Sequence, residues 1–321
     1  MKAKWTNIVK VQGYVYDKGE GRRELQKRVT GENSKNPGQE YIQGELNIAT
    51  DEDATNVVTV WFQYVAPTYP ARGDKPERPN PTFQTLETII NNGTTFKDVG
   101  KAATTVRIDG NIGVNDWYDR DGELVSNKRI EGSFIHLMNG SEKIAERAST
   151  FEADMIISSA TEREMENEED NYVNLNGYVF NFRNDILPLT LTIRNEAGMK
   201  YFLDQDYPMV TKVWGDIVSN IVKVEHVTES AFGAPTVDVT TRSIRAWDVI
   251  GASAEPMDWD DESTITRDEL KEKVRERETR LAEQKKRDEE YRNRAASAFV
   301  ATSTAIVEED EDDDDMDEFP F

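Results

Sequence analysis

The chain has 321 residues, a net charge of -23 and no cysteine. That length suggests two domains, and the absence of thiols excludes a disulfide framework and any cysteine-based nucleophile or zinc site, which fits a reducing compartment. No stretch has the apolar length of a membrane span, and the opening MKAKWTNIVK lacks an apolar leader, so a cytoplasmic location is expected.

The first elements read as strands by alternation. In VKVQGYVY, Val9, Val11, Gly13 and Val15 share one face, and Tyr14 and Tyr16 fall on the other. YIQGELNI alternates in the same way. In VVTVWFQYV, Val58, Val60, Phe62 and Tyr64 face the core and Trp61 lies outside, between Thr59 and Gln63. PTFQTLETIINNG then has helical spacing and stops at Asn92-Gly93. VRIDGNIGV and RIEGSFIHLM follow as two more strands, joined through a hairpin turn at Asp121-Gly122. Three strands, a short helix and two strands is the element order of an OB-fold, a small Greek-key barrel.

The pattern then recurs. LNGYVF repeats VQGYVY, with Gly177 matching Gly13, and KVWGDIVSNI repeats RIDGNIGVND, with Gly215 matching Gly110. LPLTLTIRNEAGMKYFLD supplies two strands between them, and TTRSIRAWDVIGA closes the second barrel. The first copy carries two long insertions, one after its first strand and one after its third. Beyond residue 250 the chain turns acidic, and Thr266-Arg-Asp-Glu269 is a capping box that opens a charged helix.

The expected fold is therefore mainly β, with two tandem OB-fold-like barrels, a charged α-helix and a disordered acidic tail. The boundaries are 1–148 for the first barrel, 149–252 for the second, 253–265 for an acidic linker, 266–298 for the helix and 299–321 for the tail. Charge follows this division. Residues 1–150 hold 20 Lys and Arg against 21 Asp and Glu, whereas residues 151–250 hold 8 against 17. The acidity belongs to the second half and leaves the first barrel free to carry local basic patches.

No catalytic constellation is present. The two histidines, His136 and His226, stand alone in strand patterns, and there is no phosphate-binding loop, nucleophile elbow or metal-ligand spacing. A non-enzymatic protein without cofactor or metal is expected. The signal for binding is aromatic residues on polar strand faces (Tyr14, Tyr16, Trp61, Tyr178, Phe180) beside basic loops. Every nucleobase offers a π-face, so such rings stack on unpaired bases while cations take the phosphates. The flanking candidates are Arg22, Arg23, Lys27 and Arg28 in the first insertion, and Tyr69, Arg72, Lys75 and Arg78 in the second. Trp117, Tyr118 and Arg129 lie about the hairpin loop, and Lys212 and Arg245 in the second barrel. Trp214 and Trp247 serve either as core or as groove residues.

The last residues, DDDDMDEFPF, close a run in which ten of the eleven side chains from Glu308 to Glu318 are acidic. Such a run repels itself and buries nothing, so it is expected to stay disordered. The tip resembles that of bacterial single-stranded-DNA-binding proteins, which closes on acids, an aliphatic residue, Pro and Phe; here Phe319 takes the aliphatic place. Phage proteins of the same kind also pair an OB-fold with an acidic, Phe-ended tail, and two barrels in one chain are closer to phage or replication-protein-A-like arrangements. The resemblance implies a protein that coats single-stranded DNA. It also implies that Asp317, Glu318, Phe319, Pro320 and Phe321 recruit replication, recombination or repair proteins, in the cytoplasm of a bacterial host for a phage protein. A tandem chain supplies several barrels by itself, so a monomer is expected. Three other readings stay open at this level: an RNA-binding protein, an assembly or interaction protein, and a virion structural subunit on barrel-like modules.

Overall fold

The computed structural model describes residues 5–32, 34–119, 121–165, 171–228, 236–257 and 264–307. The tail tip, Asp317 to Phe321, lies outside the described residues. The chain is mainly β, and the way its strands close defines the architecture.

Strands β1 (Asn7–Asp17), β3 (Glu40–Ala49), β4 (Val57–Val65), β7 (Thr105–Tyr118) and β8 (Leu124–Leu137) form a ring, and the short β2 (Gln26–Val29) from the first insertion pairs with β3. β1 pairs antiparallel with β3 and with β7, β3 with β4, and β7 with β8. The ring closes through a parallel contact between β4 and β8, with Val60 opposite Ile130 and Trp61 opposite Glu131. Helix α1 (Pro81–Asn92) enters between β4 and β7. This is the five-stranded Greek-key closure of an OB-fold.

A second ring repeats the scheme with β9 (Ser149–Arg163), β10 (Tyr172–Phe180), β11 (Ile186–Ile193), β12 (Met209–Thr228) and β13 (Thr236–Ala252). Its parallel closure sets Thr192 opposite Asp248, and helix α3 (Glu196–Leu203) takes the place of α1. β1 also pairs with β9, from Asn7 opposite Ala153 to Val11 opposite Ser149, so one sheet runs through both barrels.

Two sequence assignments are corrected here. Gly177 is the counterpart of Gly44 rather than of Gly13, because β10 is the second strand of its ring and β9 the first. β9 escaped the alternation test because it is covered on both faces where the barrels meet. Ala153, Asp154, Met155, Ile156 and Ile157 are all buried in succession, and period two disappears in such a run. The other correction is NEAGMKYFL, which is helix rather than strand. Asn195 caps it by accepting the Gly198 N–H at 2.7 Å, a helix-start signal of the usual kind.

The charged helix α4 runs from Arg267 to Val307, past the expected end at Ala298. It belongs to a unit of its own, and the unit that holds the barrels ends at Thr266. Charged side chains spaced three apart, such as Lys273 with Glu276 at 2.7 Å, support it along its exposed surface.

Asn side chains join the barrels where backbone pairing stops. Asn7 donates to the carbonyls of Ile112 and Phe180, both at 3.1 Å, and accepts the Ile112 N–H at 2.7 Å. Asn56, in the β3–β4 turn, accepts the Ser219 N–H at 2.6 Å and donates to the Ile217 carbonyl at 3.3 Å. Within the first barrel, α1 starts at Asn80, whose side chain accepts the Thr82 N–H and donates to the Ala66 carbonyl at 2.8 Å. Asn80→Ala loses both contacts and is expected to cost about 1–2 kcal/mol of stability in urea unfolding. A loss of under a few tenths would show that the cap is idle.

Candidate nucleic-acid interface

The outward face of the first barrel is set by register. In β4, Val58, Val60 and Phe62 fill the core, so Trp61 must point out. On the neighbouring β8, Ile130 is buried and Arg129 and Glu131 share the outward phase. The Arg129 guanidinium lies 5.7 Å from the centre of the Trp61 ring, in cation–π range. It is held there by Glu131 Oε1, which accepts from Nε at 3.0 Å and from Nη2 at 2.7 Å, with Gln63 accepting at 3.2 Å and Asn115 at 3.4 Å. The same phase continues along the β7–β8 hairpin, where Asn115 lies opposite Asn127 and Trp117 opposite Val125. Trp117 is 36% exposed. An outward row of Trp61, Arg129, Asn115 and Trp117 results, flat and polar with a ring at each end. The Trp61 indole Nε1 is enclosed and meets no acceptor among the described residues, so the ring offers a ligand its face rather than its N–H.

The second insertion folds into a finger. Strands β5 (Thr68–Tyr69) and β6 (Arg78–Pro79) pair, and Arg72 and Lys75 bridge at its tip. Pro67, Pro70, Pro76 and Pro79 stiffen it by fixing φ. The Arg78 guanidinium sits 5.0 Å over the Tyr69 ring. Arg72, Lys75 and Arg78 are exposed, and none of them makes an ion pair among the described residues. Exposed cations held out of ion pairs beside a ring are an arrangement suited to phosphates and bases together.

The first insertion behaves differently. Arg23 pairs with Glu45 at 3.6 Å, and Lys27 with Glu87 at 2.6 Å and Glu40 at 3.6 Å. The Glu87 hydrogen bond holds the Lys27 amine above its ordinary basicity. Arg28 donates to the Arg22 carbonyl at 3.1 Å, and neither Arg22 nor Arg28 makes an ion pair among the described residues.

Several expected rings are not available for stacking. Tyr14 and Tyr16 do lie on the outward phase of β1, but Phe96 from the short helix α2 (Phe96–Val99) covers them at 5.6 and 6.2 Å. Lys97 sits 5.3 Å over Tyr16 and is tied to Asp17 at 2.7 Å. Phe180 is buried to 1% and stacks on Trp5 at 4.6 Å, because the start of the chain folds over the end of β10. Tyr64, read as core, is exposed instead: its left-handed backbone (φ 52°) breaks the strand phase, and it stacks on Tyr41 at 4.7 Å. Sequence alone gives no sign of that flip.

In the second barrel, Tyr178 is half-buried, and Lys212 is paired with Glu152 at 3.1 Å. Arg245 is exposed without an ion pair among the described residues. Trp247 is core, packed on Phe151 at 5.5 Å, whereas Trp214 is partly exposed. Tyr118 is half-buried at the end of the hairpin strand. The structure thus brings Trp61, Arg129 and Trp117 onto one face and sets Tyr69, Arg72, Lys75 and Arg78 on one finger. Gln63 and Asn115 belong to the same face and carried no signal in the sequence, since amides on an outward strand phase are unremarkable.

The chain belongs to the YorF family, whose model matches residues 20–287. A solved structure similar to it is that of a deletion mutant of the single-stranded DNA binding protein from Thermus aquaticus. The two are 13% identical, with 79% of this chain and 97% of that one covered and a TM-score of 0.45. No curated protein matches the sequence.

Proposed function

We propose that this protein binds and coats single-stranded DNA, without catalysis, through the outward face of its first barrel. The observation that carries the reading is the Trp61–Arg129–Trp117 row together with a finger whose three exposed cations make no ion pair among the described residues. Rings set at intervals along a polar face hold unpaired bases with little regard to sequence, and the cations supply affinity that falls with salt. A duplex hides its base faces and offers only phosphate, so selectivity for single strands follows.

The acidic tail adds two roles to this reading. Its tip, Asp317 to Phe321, recruits replication, recombination or repair proteins through two rings and its acidic side chains. In the absence of DNA the acids compete with phosphate for the finger cations. A chain ending at Val307 is therefore expected to bind oligothymidine several-fold more tightly than the full chain at low salt, with the gap closing as salt rises. Equal affinities at low salt would rule out the competition.

The test is fluorescence anisotropy of labelled oligothymidine, a matched duplex and oligouridine, titrated with the full-length protein across a salt series. Tight, salt-sensitive binding of the single DNA strand over the duplex is the expected result. Preference for oligouridine would move the reading to RNA. No binding of any of the three at low salt would sink it and leave a protein-binding role.

A further inference from the structure

The β7–β8 hairpin is longer than its barrel needs. Its rungs from Val114 opposite Lys128 to Tyr118 opposite Leu124 run on beyond the parallel closure at Ile130. Val114, on the inward phase at the start of this overhang, still packs on the core, and its partner Lys128 turns to the second barrel, where Nζ donates to the Thr190 carbonyl at 2.7 Å. The strands it meets, β10 and β11, are the topological counterparts of β3 and β4. Between hairpin and strands lies a cleft of about 460 Å³, bordered by Asn127 and Lys128 on one side and by Asn176, Tyr178 and Thr190 on the other.

The walls of the cleft are polar, and part of that polarity is already used. Thr190 Oγ1 donates to Asn176 Oδ1 at 3.0 Å, and Ser158 Oγ to the Asn176 carbonyl at 2.9 Å, so these groups fix one another. Lys128 is different. Of its three N–H donors, one is given to a carbonyl, the ammonium sits 6.0 Å from the centre of the Trp247 ring, and no carboxylate lies within ion-pair distance among the described residues. The acid that bears on it is Asp248, which is itself bound to Arg194 at 3.3 Å and faces a further acid, Asp216. Desolvation pushes the Lys128 amine down to about 8. A half-buried cation short of a counter-ion, at the wall of a polar cleft, calls for an anion. Asn127 supplies the way in: it belongs to the outward row of the hairpin, opposite Asn115, and also borders the cleft. The two sites meet at the edge of the hairpin.

We propose that a single strand held on the first barrel turns around this edge into the cleft, where Lys128 takes a backbone phosphodiester and Tyr178 a base. This rests on the single-strand reading above and deepens it: the second barrel contributes through a site completed by the first barrel's hairpin. One strand then contacts both barrels, and their spacing is set by the β1–β9 pairing.

Binding of the phosphodiester favours the charged amine and so raises its pKa above that of the free protein. Affinity is then full below about pH 8 and falls as pH rises through that value, by up to tenfold per unit. The experiment is anisotropy of labelled oligothymidine with the full chain, at constant ionic strength from pH 7 to 9.5, for the parent, Lys128→Met, Lys128→Arg and Asn127→Asp. The parent should weaken by about tenfold over this range. Lys128→Met should bind several-fold more weakly at pH 7 with a flat profile, and Lys128→Arg should bind well with a flat profile. Asn127→Asp, an exposed change that leaves folding intact, should weaken binding several-fold by repelling the phosphate.

Tight binding by the parent with a flat profile, unchanged in Asn127→Asp, would overturn the cleft and leave the first-barrel reading standing. Replacing chloride by inorganic phosphate and thereby erasing the parent's profile would assign the cleft to free phosphate, which also overturns the strand path. No strand binding by the parent would remove both proposals together.

Discussion

Alanine in place of Trp61 is expected to weaken oligothymidine binding by about 1–3 kcal/mol, roughly 5- to 150-fold, the usual worth of one base stacked on a ring. The loss should appear at every salt concentration, because stacking is not screened. Trp61→Phe keeps a π-face and should recover most of the affinity. The finger should behave in the opposite way. Replacing Arg72, Lys75 and Arg78 together by alanine removes three exposed cations and should reduce the slope of log affinity against log salt by about 2. Their removal should leave stability unchanged to within about 0.5 kcal/mol, since exposed side chains outside any ion pair contribute little. A Trp61→Ala protein that binds as the parent does, while the finger variant binds nothing, would reduce the face to a purely electrostatic one and refute the stacking half of the account.

The largest expected effect on stability is at Asn7. Its side chain is nearly buried and serves three backbone groups, the N–H and C=O of Ile112 and the C=O of Phe180. Asn7→Leu fills a similar volume but leaves those groups without partners in a place water does not reach. At roughly 1–3 kcal/mol for each unmade bond, less the gain from a larger apolar side chain, a net loss of about 2–4 kcal/mol is expected in urea unfolding. Asn7→Asp should do no better, because a carboxylate answers the Ile112 N–H but sets an oxygen against two carbonyls. A loss below about 1 kcal/mol for Asn7→Leu would mean that the β1–β9 ladder alone joins the barrels.

Much of this fold is written in period-two alternation, and the exceptions have local causes. β1, β3, β4, β7 and β8 each have one face in a core and one toward solvent or a thin covering, so their hydrophobic phase is plain in the sequence. The helix at Pro81–Asn92 announces itself through Asn80 before it and Gly93 after it. β9 lies at the junction, where neither face meets water, and its phase is lost. Glycine equivalence was read correctly for Gly110 and Gly215, which lie at the same ring position. It was misread for Gly177, because a Gly-aromatic pair suits any strand that another backbone approaches closely. An added Cβ at Gly177 would lie 2.0 Å from the Ile156 carbonyl oxygen.

The site was legible by residue type but not by partner. Sequence singled out basic loops, yet only the structure separates the three finger cations from Arg23 and Lys27, whose counter-ions come from β3 and α1, distant in sequence. It likewise singled out rings on polar phases without knowing that Phe96 covers two of them and Trp5 a third. Lys128 stood in the sequence beside Arg129 as one more loop cation. Its position facing the second barrel follows from the hairpin's overhang, a consequence of strand length against barrel size that alternation does not reveal.

The most direct test of the central claim is photocrosslinking of an oligothymidine carrying 5-bromouracil to the full-length protein, with peptide mapping of the adducts. The account predicts adducts at Trp61, Trp117 and Tyr69, lost when unlabelled single strand competes and retained against duplex. Adducts confined to Trp214 or to the helix after Arg267, with those three residues unmodified, would place the nucleic acid elsewhere and contradict it.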